Sequence, residues 1–199
     1  MKTYDMSDMA KKLSNSTVDL VDKKSLATIL GVKNERSLYQ VVFKLITSGW
    51  LNKIERNKYK IANRNIHDFE IANFIYQPSY ISFESALNYW GVLSQFPFEI
   101  TSATLKQSEV KNIDQKVFGY NRVNKKYFGG FVKVNNYLIA SAEKALVDQI
   151  YLWSKGLKQL NWSEYDLSRI DMKMVKKIVT NMKLINKLEN YVGKGGINA

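Results

Sequence analysis

The chain has 199 residues, 45 % of them hydrophobic, and a formal net charge of +12; this suits one large or two small folded domains with a real core. It contains no cysteine and one histidine, His67, which excludes disulfide frameworks, thiolate zinc sites and cysteine nucleophiles and removes most histidine-based metal or catalytic arrangements. No apolar run reaches the roughly 18 residues that cross a bilayer, and the polar start Met1-Lys2-Thr3-Tyr4-Asp5 is unlike a secretory signal, so a cytoplasmic protein without a membrane partner is expected. Residues 1–64 hold thirteen Lys/Arg against six Asp/Glu, a net +7, while residues 65–155 carry +1 and residues 156–199 carry +4. Basic ends around a neutral middle favour polyanions, chiefly nucleic acid, through counterion release.

The expected fold is α+β: a winged helix-turn-helix over residues 1–64, then a mixed α/β domain over residues 65–199. That second domain should carry a small sheet, flanking helices and a basic helical tail from about residue 156. Met6, Met9, Ala10 and Leu13 recur at helical spacing, and a polar, acid-containing stretch follows them. A second helix is expected from about Lys24, with Leu26, Ile29 and Leu30 on one face. Gly31, four residues after Ala27, supplies the left-handed corner of a helix-turn-helix, and Asn34 offers the next N-cap.

The third helix is predicted from Glu35 to Ser48, with Leu38, Val41, Val42, Leu45 and Ile46 inward. Arg36, Gln40 and Lys44 form the opposite stripe, with Ser37 and Thr47 beside it. Arg and Gln can make bidentate contacts to base edges, and Lys44 suits phosphate. After Gly49-Trp50, the runs Leu51–Glu55 and Lys58–Ala62 flank the turn pair Arg56-Asn57. Tyr59 and Ile61 face one way, while Lys58 and Lys60 face the other, with Lys53 expected to join them on a basic, backbone-tracking edge. The residues assigned to double-stranded DNA are therefore Asn34, Arg36, Ser37, Gln40, Lys44, Lys53, Arg56, Lys58 and Lys60. A winged helix can also serve as a protein-binding module alone.

Residues 63–67 read as a linker, followed by a helix containing Phe69, Ala72, Asn73, Phe74 and Ile75. Pro78 to Ile81 breaks the helical pattern, and Ser82 is placed as the cap of a short helix, Phe83–Trp90, closed by Gly91. Strands are expected from Phe98 to Leu105, over Val117–Tyr120, over Tyr127–Val134 and over Tyr137–Ala140. Ser141 should cap a helix from Ala142 to Ser154. Helices over Met172–Met182 and Leu184–Val192 and a frayed end from Gly193 complete the chain.

Catalytic residues are not expected, nor are a metal or a cofactor. Glu84, Glu99, Glu143 and Asp148 are the carboxylates expected to be structurally fixed. Glu143-Lys144 has the residue types of a nuclease signature without its spacing, and Lys144 and Asp148, four apart, suit an ion pair on a helix surface. Gly129-Gly130 lacks the lysine and helix start of a phosphate loop and reads as a bulge or turn.

Two segments carry a family resemblance. Pro78-Ser79-Tyr80-Ile81-Ser82-Phe83-Glu84-Ser85-Ala86-Leu87 leading to Trp90-Gly91, and Tyr137-Leu138-Ile139-Ala140-Ser141-Ala142-Glu143-Lys144-Ala145-Leu146-Val147-Asp148, resemble the AbiEi-type antitoxins of bacterial type IV toxin–antitoxin systems, which act in abortive infection and phage defence. Ala142 stands where that family often has proline. The resemblance implies a repressor that binds its own operator through the winged helix. It also implies a second domain that counteracts a nucleotidyltransferase-like toxin, with Ser82, Glu84, Glu143, Lys144 and Asp148 on the family motif either as working residues or as scaffold. The alternative class is a stand-alone transcriptional regulator whose second domain senses a ligand or oligomerises.

Overall fold

The computed structural model describes residues 4–181, and the helix expected over Leu184–Val192, with Met182 and the end from Gly193, lies outside the described residues. The chain is mixed α+β and divides into two compact units between His67 and Asp68.

The first unit runs α1 (Met6–Ser14), β1 (Leu20–Asp22), α2 (Lys23–Leu30), α3 (Glu35–Thr47), β2 (Leu51–Glu55) and β3 (Lys58–Ile61). Its three strands form one antiparallel sheet in the order β1-β3-β2. The core takes Met9 and Leu13 from α1, Leu26 and Leu30 from α2, and Leu38, Val41, Val42 and Leu45 from α3. Leu51, Tyr59 and Ile61 close it from the sheet. Ile46, expected inward, is only partly buried against this cluster. Gly31 ends α2 at φ +69°, and its N–H is shared by the Ala27 and Thr28 carbonyls; a side chain there would carry the left-handed penalty.

The polar, acid-containing stretch after α1 contains β1. Its last residue, Asp22, is also the N-cap of α2, where its Oδ1 accepts the Ser25 N–H at 2.7 Å. One side chain thus fixes where the strand ends and the helix begins. The Asp22→Ala variant is expected to lose about 1 kcal/mol of stability, as typical for a removed cap, measured by denaturant titration. The Ser25 backbone bond holds the Asp22 carboxyl below its ordinary value of 3.8. Its contribution is therefore complete above that value and disappears as pH falls through the lower folded value, so wild type and variant should converge in acid.

The second unit holds α4 (Asp68–Ile75), β4 (Ser79–Ile81), α5 (Phe83–Tyr89), β5 (Glu99–Thr104), β6 (Glu109–Ile113), β7 (Lys116–Arg122), β8 (Phe131–Val134), β9 (Tyr137–Ala140), α6 (Ala142–Ser154) and α7 (Met172–Asn181). Its strands form one six-stranded mixed sheet in the order β6-β7-β5-β4-β9-β8. Parallel pairs β5/β7 and β4/β9 alternate with antiparallel ones. The sheet is larger than expected because β4 and β6 were not anticipated. The strand expected over Tyr127–Val134 begins only at Phe131, since Lys125–Tyr127 is a 3-10 turn and Gly130 takes φ +72°, outside strand geometry. Helix α4 packs on β4, β5 and β9, while α5 lies against β5 and α6. Helix α6 is capped by the Ser141 hydroxyl, which accepts the Lys144 N–H at 3.2 Å.

Candidate nucleic-acid interface

Helix α3 presents a polar face because its apolar residues are all drawn to one side. Asn34 starts it, with Oδ1 accepting the Ser37 N–H at 2.9 Å, so the Asn34 carbonyl oxygen is engaged within the helix. Arg36, Gln40 and Lys44 are exposed and Ser37 is half-buried. At about 100° per residue, Arg36, Gln40, Phe43 and Thr47 fall within a band roughly 60° wide, which Lys44 and Ser37 extend on the Gln40 side and the exposed Tyr39 and Glu35 extend on the Phe43 side. The exposed face therefore has an aromatic ring in its middle. Phe43 is 68 % exposed and Tyr39 48 % exposed, and neither was anticipated, since an aromatic residue on a helix ordinarily reads as core. Glu35, the single carboxylate of α3, is neutralised by Lys23 at 2.5 Å. Lys23 also donates to the Tyr39 hydroxyl at 3.2 Å and lies 4.9 Å from the Tyr39 ring centre.

The hairpin beside this helix turns at Arg56-Asn57, where Asn57 takes φ +63°, as asparagine tolerates in a two-residue turn. Its register corrects the expected basic edge. Lys53 pairs opposite Tyr59, and Asn52 opposite Lys60, with a bulge between Lys53 and Glu55. Directly opposed residues share a face, so Lys53 sits on the Tyr59 side of the sheet and does not join Lys58 and Lys60. Lys58 is half-buried and its ammonium pairs with Glu55 at 2.7 Å, which reduces what it can offer a phosphate. The basic residues beside the exposed face of α3 are instead Lys53 and Arg56. Both line a shallow depression whose other walls include Phe43, Ile46 and Tyr59.

The motif residues of the second unit form a different kind of centre. Lys144 and Asp148, expected on a helix surface, are buried, with side chains 5 % and 0 % exposed. Asp148 Oδ2 accepts the Tyr80 and Ser82 hydroxyls, each at 2.8 Å. Lys144 pairs with Asp148 Oδ1 and donates to the Tyr80 oxygen at 2.9 Å. Burial pushes the Asp148 carboxyl up, while Lys144, Ser82 and Tyr80 pull it back. The same burial raises the Tyr80 phenol, reinforced by the Asp148 charge.

Ser82 occupies the N-cap position of α5 without a side-chain cap bond, because its hydroxyl serves Asp148 instead. The turn into α5 is tight enough to hold Phe83, fully buried, at φ +54°. Such a position costs a bulky residue about 1–3 kcal/mol and persists only where packing over-determines it. Glu84 pairs with Lys158 and accepts from Gln149 Nε2 at 2.9 Å. Glu143 Oε1 accepts the Asp171 N–H at 3.3 Å. These five residues therefore join β4, α5, α6 and the segment leading into α7. Gly130 (φ +72°) belongs to the same centre: a Cβ there would meet the Lys144 Cγ and Cδ at 3.0 Å.

Among the described residues no group of three or more His, Cys, Asp or Glu could hold a metal, and no helix is long and apolar enough to cross a membrane. No known protein family profile matches the chain, and no curated protein matches it. Among solved structures it is similar to the RV2827C protein from Mycobacterium tuberculosis, with a TM-score of 0.61 at 13 % identity over 87 % of this chain and 70 % of that one. At that identity the likeness speaks for the fold alone.

Proposed function

We propose that the first unit is a winged helix-turn-helix that binds double-stranded DNA, with α3 in the major groove and the β2–β3 hairpin as the wing. The observation that carries this is the exposed face of α3, which holds Arg36 and Gln40, whose Phe43 borders the depression lined by Lys53 and Arg56, and whose one helix carboxylate is neutralised. Such a face combines base-edge donors with phosphate neutralisation. The net +7 of residues 1–64 supports association with a polyanion.

The fuller reading is an AbiEi-type antitoxin that represses its own promoter and counteracts a nucleotidyltransferase-like toxin. Its support is the motif resemblance, strengthened by the way Ser82, Lys144 and Asp148 of both segments meet in one buried centre with Tyr80. The test is co-expression of the full chain with the gene downstream of its own, alongside a reporter driven by the upstream DNA. Growth rescue together with reporter repression is the expected result. Repression without rescue would reduce the protein to a transcriptional regulator, and rescue without repression would remove the DNA-binding part. An Arg36→Ala/Gln40→Ala variant should abolish repression while leaving rescue intact.

A further inference from the structure

A ring left in water on a helix face forfeits the roughly 1.5–3 kcal/mol that full burial of such a side chain returns. Phe43 accepts that penalty on α3, midway between Gln40 and Thr47. It borders the depression between α3 and the hairpin, about 450 Å³ in volume, whose other walls include Ile46, Tyr59, Lys53 and Arg56. No carboxylate lines it, and two of its side chains are cationic. An apolar floor with a cationic rim fits a partner that is anionic at its edge and apolar at its centre. Beside Phe43, the Thr47 hydroxyl donates to the Lys44 carbonyl at 3.0 Å, so its one donor is committed to the helix itself. The middle of the face is thus apolar, while its Arg36 end is polar. In the major groove one base displays an apolar group, the 5-methyl of thymine.

We propose that Phe43 is a specificity determinant that packs against thymine 5-methyl groups, so that the site read by α3 requires thymine next to the bases contacted by Arg36 and Gln40. This rests on the DNA-binding reading above and adds a base identity to it.

The full chain is used to select binders from a randomised duplex pool, and the best duplex is resynthesised with deoxyuridine in place of thymidine. Affinity is expected to fall about fourfold for each contacted methyl, the equivalent of about 0.8 kcal/mol per buried carbon. Phe43→Ala should bind the thymidine and deoxyuridine duplexes equally, and Phe43→Leu should keep part of the preference. Phe43 is exposed, so neither substitution threatens the core. Equal wild-type affinity for the two duplexes, with salt-sensitive binding retained, overturns the thymine assignment and leaves the DNA reading standing. Failure to enrich any duplex overturns the DNA reading, and the thymine assignment with it. A change in solution mass on Phe43→Ala, with base preference unaltered, would make the ring a protein contact and likewise overturn the proposal.

Discussion

The Lys144→Met variant is expected to lose about 3–5 kcal/mol of stability, the usual cost of removing one partner from a buried ion pair. The substitution leaves the Asp148 carboxylate at 0 % exposure with two hydroxyl donors and no cation. Against a typical domain stability of about 5–15 kcal/mol, this is a large share of the whole, so the unfolding midpoint of the second unit should fall well below that of wild type. The informative comparison is the Lys144→Met/Asp148→Leu double variant. Removing both charges also removes the desolvation penalty that each carries, so the double variant should be markedly more stable than Lys144→Met alone. Denaturant titration with a tryptophan probe reads this, since the Trp90 Nε1 donates to the Ala140 carbonyl at 2.7 Å in the same unit. A Lys144→Met protein as stable as wild type that fails to give growth rescue in the co-expression test would turn the centre from scaffold into working site.

The second large effect concerns DNA. Substituting Arg36 and Gln40 by alanine should weaken binding to the selected duplex at least about 30-fold, taking about 1 kcal/mol or more from each lost bidentate contact. Binding to unrelated duplexes should change far less, so the variant loses preference rather than attraction. Lys53→Ala and Arg56→Ala should behave in the opposite way. Each should weaken all duplexes alike and lower the slope of log affinity against log salt by about 1. Fluorescence anisotropy over a salt series separates the two patterns. Equal losses on selected and unrelated duplexes for the α3 variant would move base reading away from this helix.

The longer periodic elements are legible in the sequence, and the exceptions have physical causes. Helices α1, α2 and α3 announce themselves through an apolar stripe and a cap, and the Arg56-Asn57 turn through asparagine's tolerance of positive φ. Strands β1 and β4 span only three residues each, too short for alternation to register. Strand β6 lies at an edge with Val110 exposed, so it has no buried face to impose a pattern. The side taken by Lys53 depends on the bulge before Glu55, a pairing property that no single strand encodes. In α6 every residue from Lys144 to Ile150 is buried, which erases the amphipathic contrast. The spacing of Lys144 and Asp148 fixes that they share a face but says nothing of where that face points. Of the candidate interface, the polar side chains of α3 are readable by chemistry. Phe43 is not, because its identity alone argues for burial.

The place of β4 in the sheet sets a timetable for synthesis. It pairs on one side with β5 and on the other with β9 through Ile81 and Ile139. The acceptor for the Ser82 hydroxyl lies 66 residues downstream. At translation speeds of about 5–20 residues per second, that gap amounts to roughly 3–13 seconds in which the hydroxyls of Tyr80 and Ser82 lack their Asp148 acceptor. The elements of the first unit have by then all been synthesised. A nascent chain paused before Asp148 would thus carry all of the first unit, the exposed face of α3 included, while the centre of the second unit could not yet form.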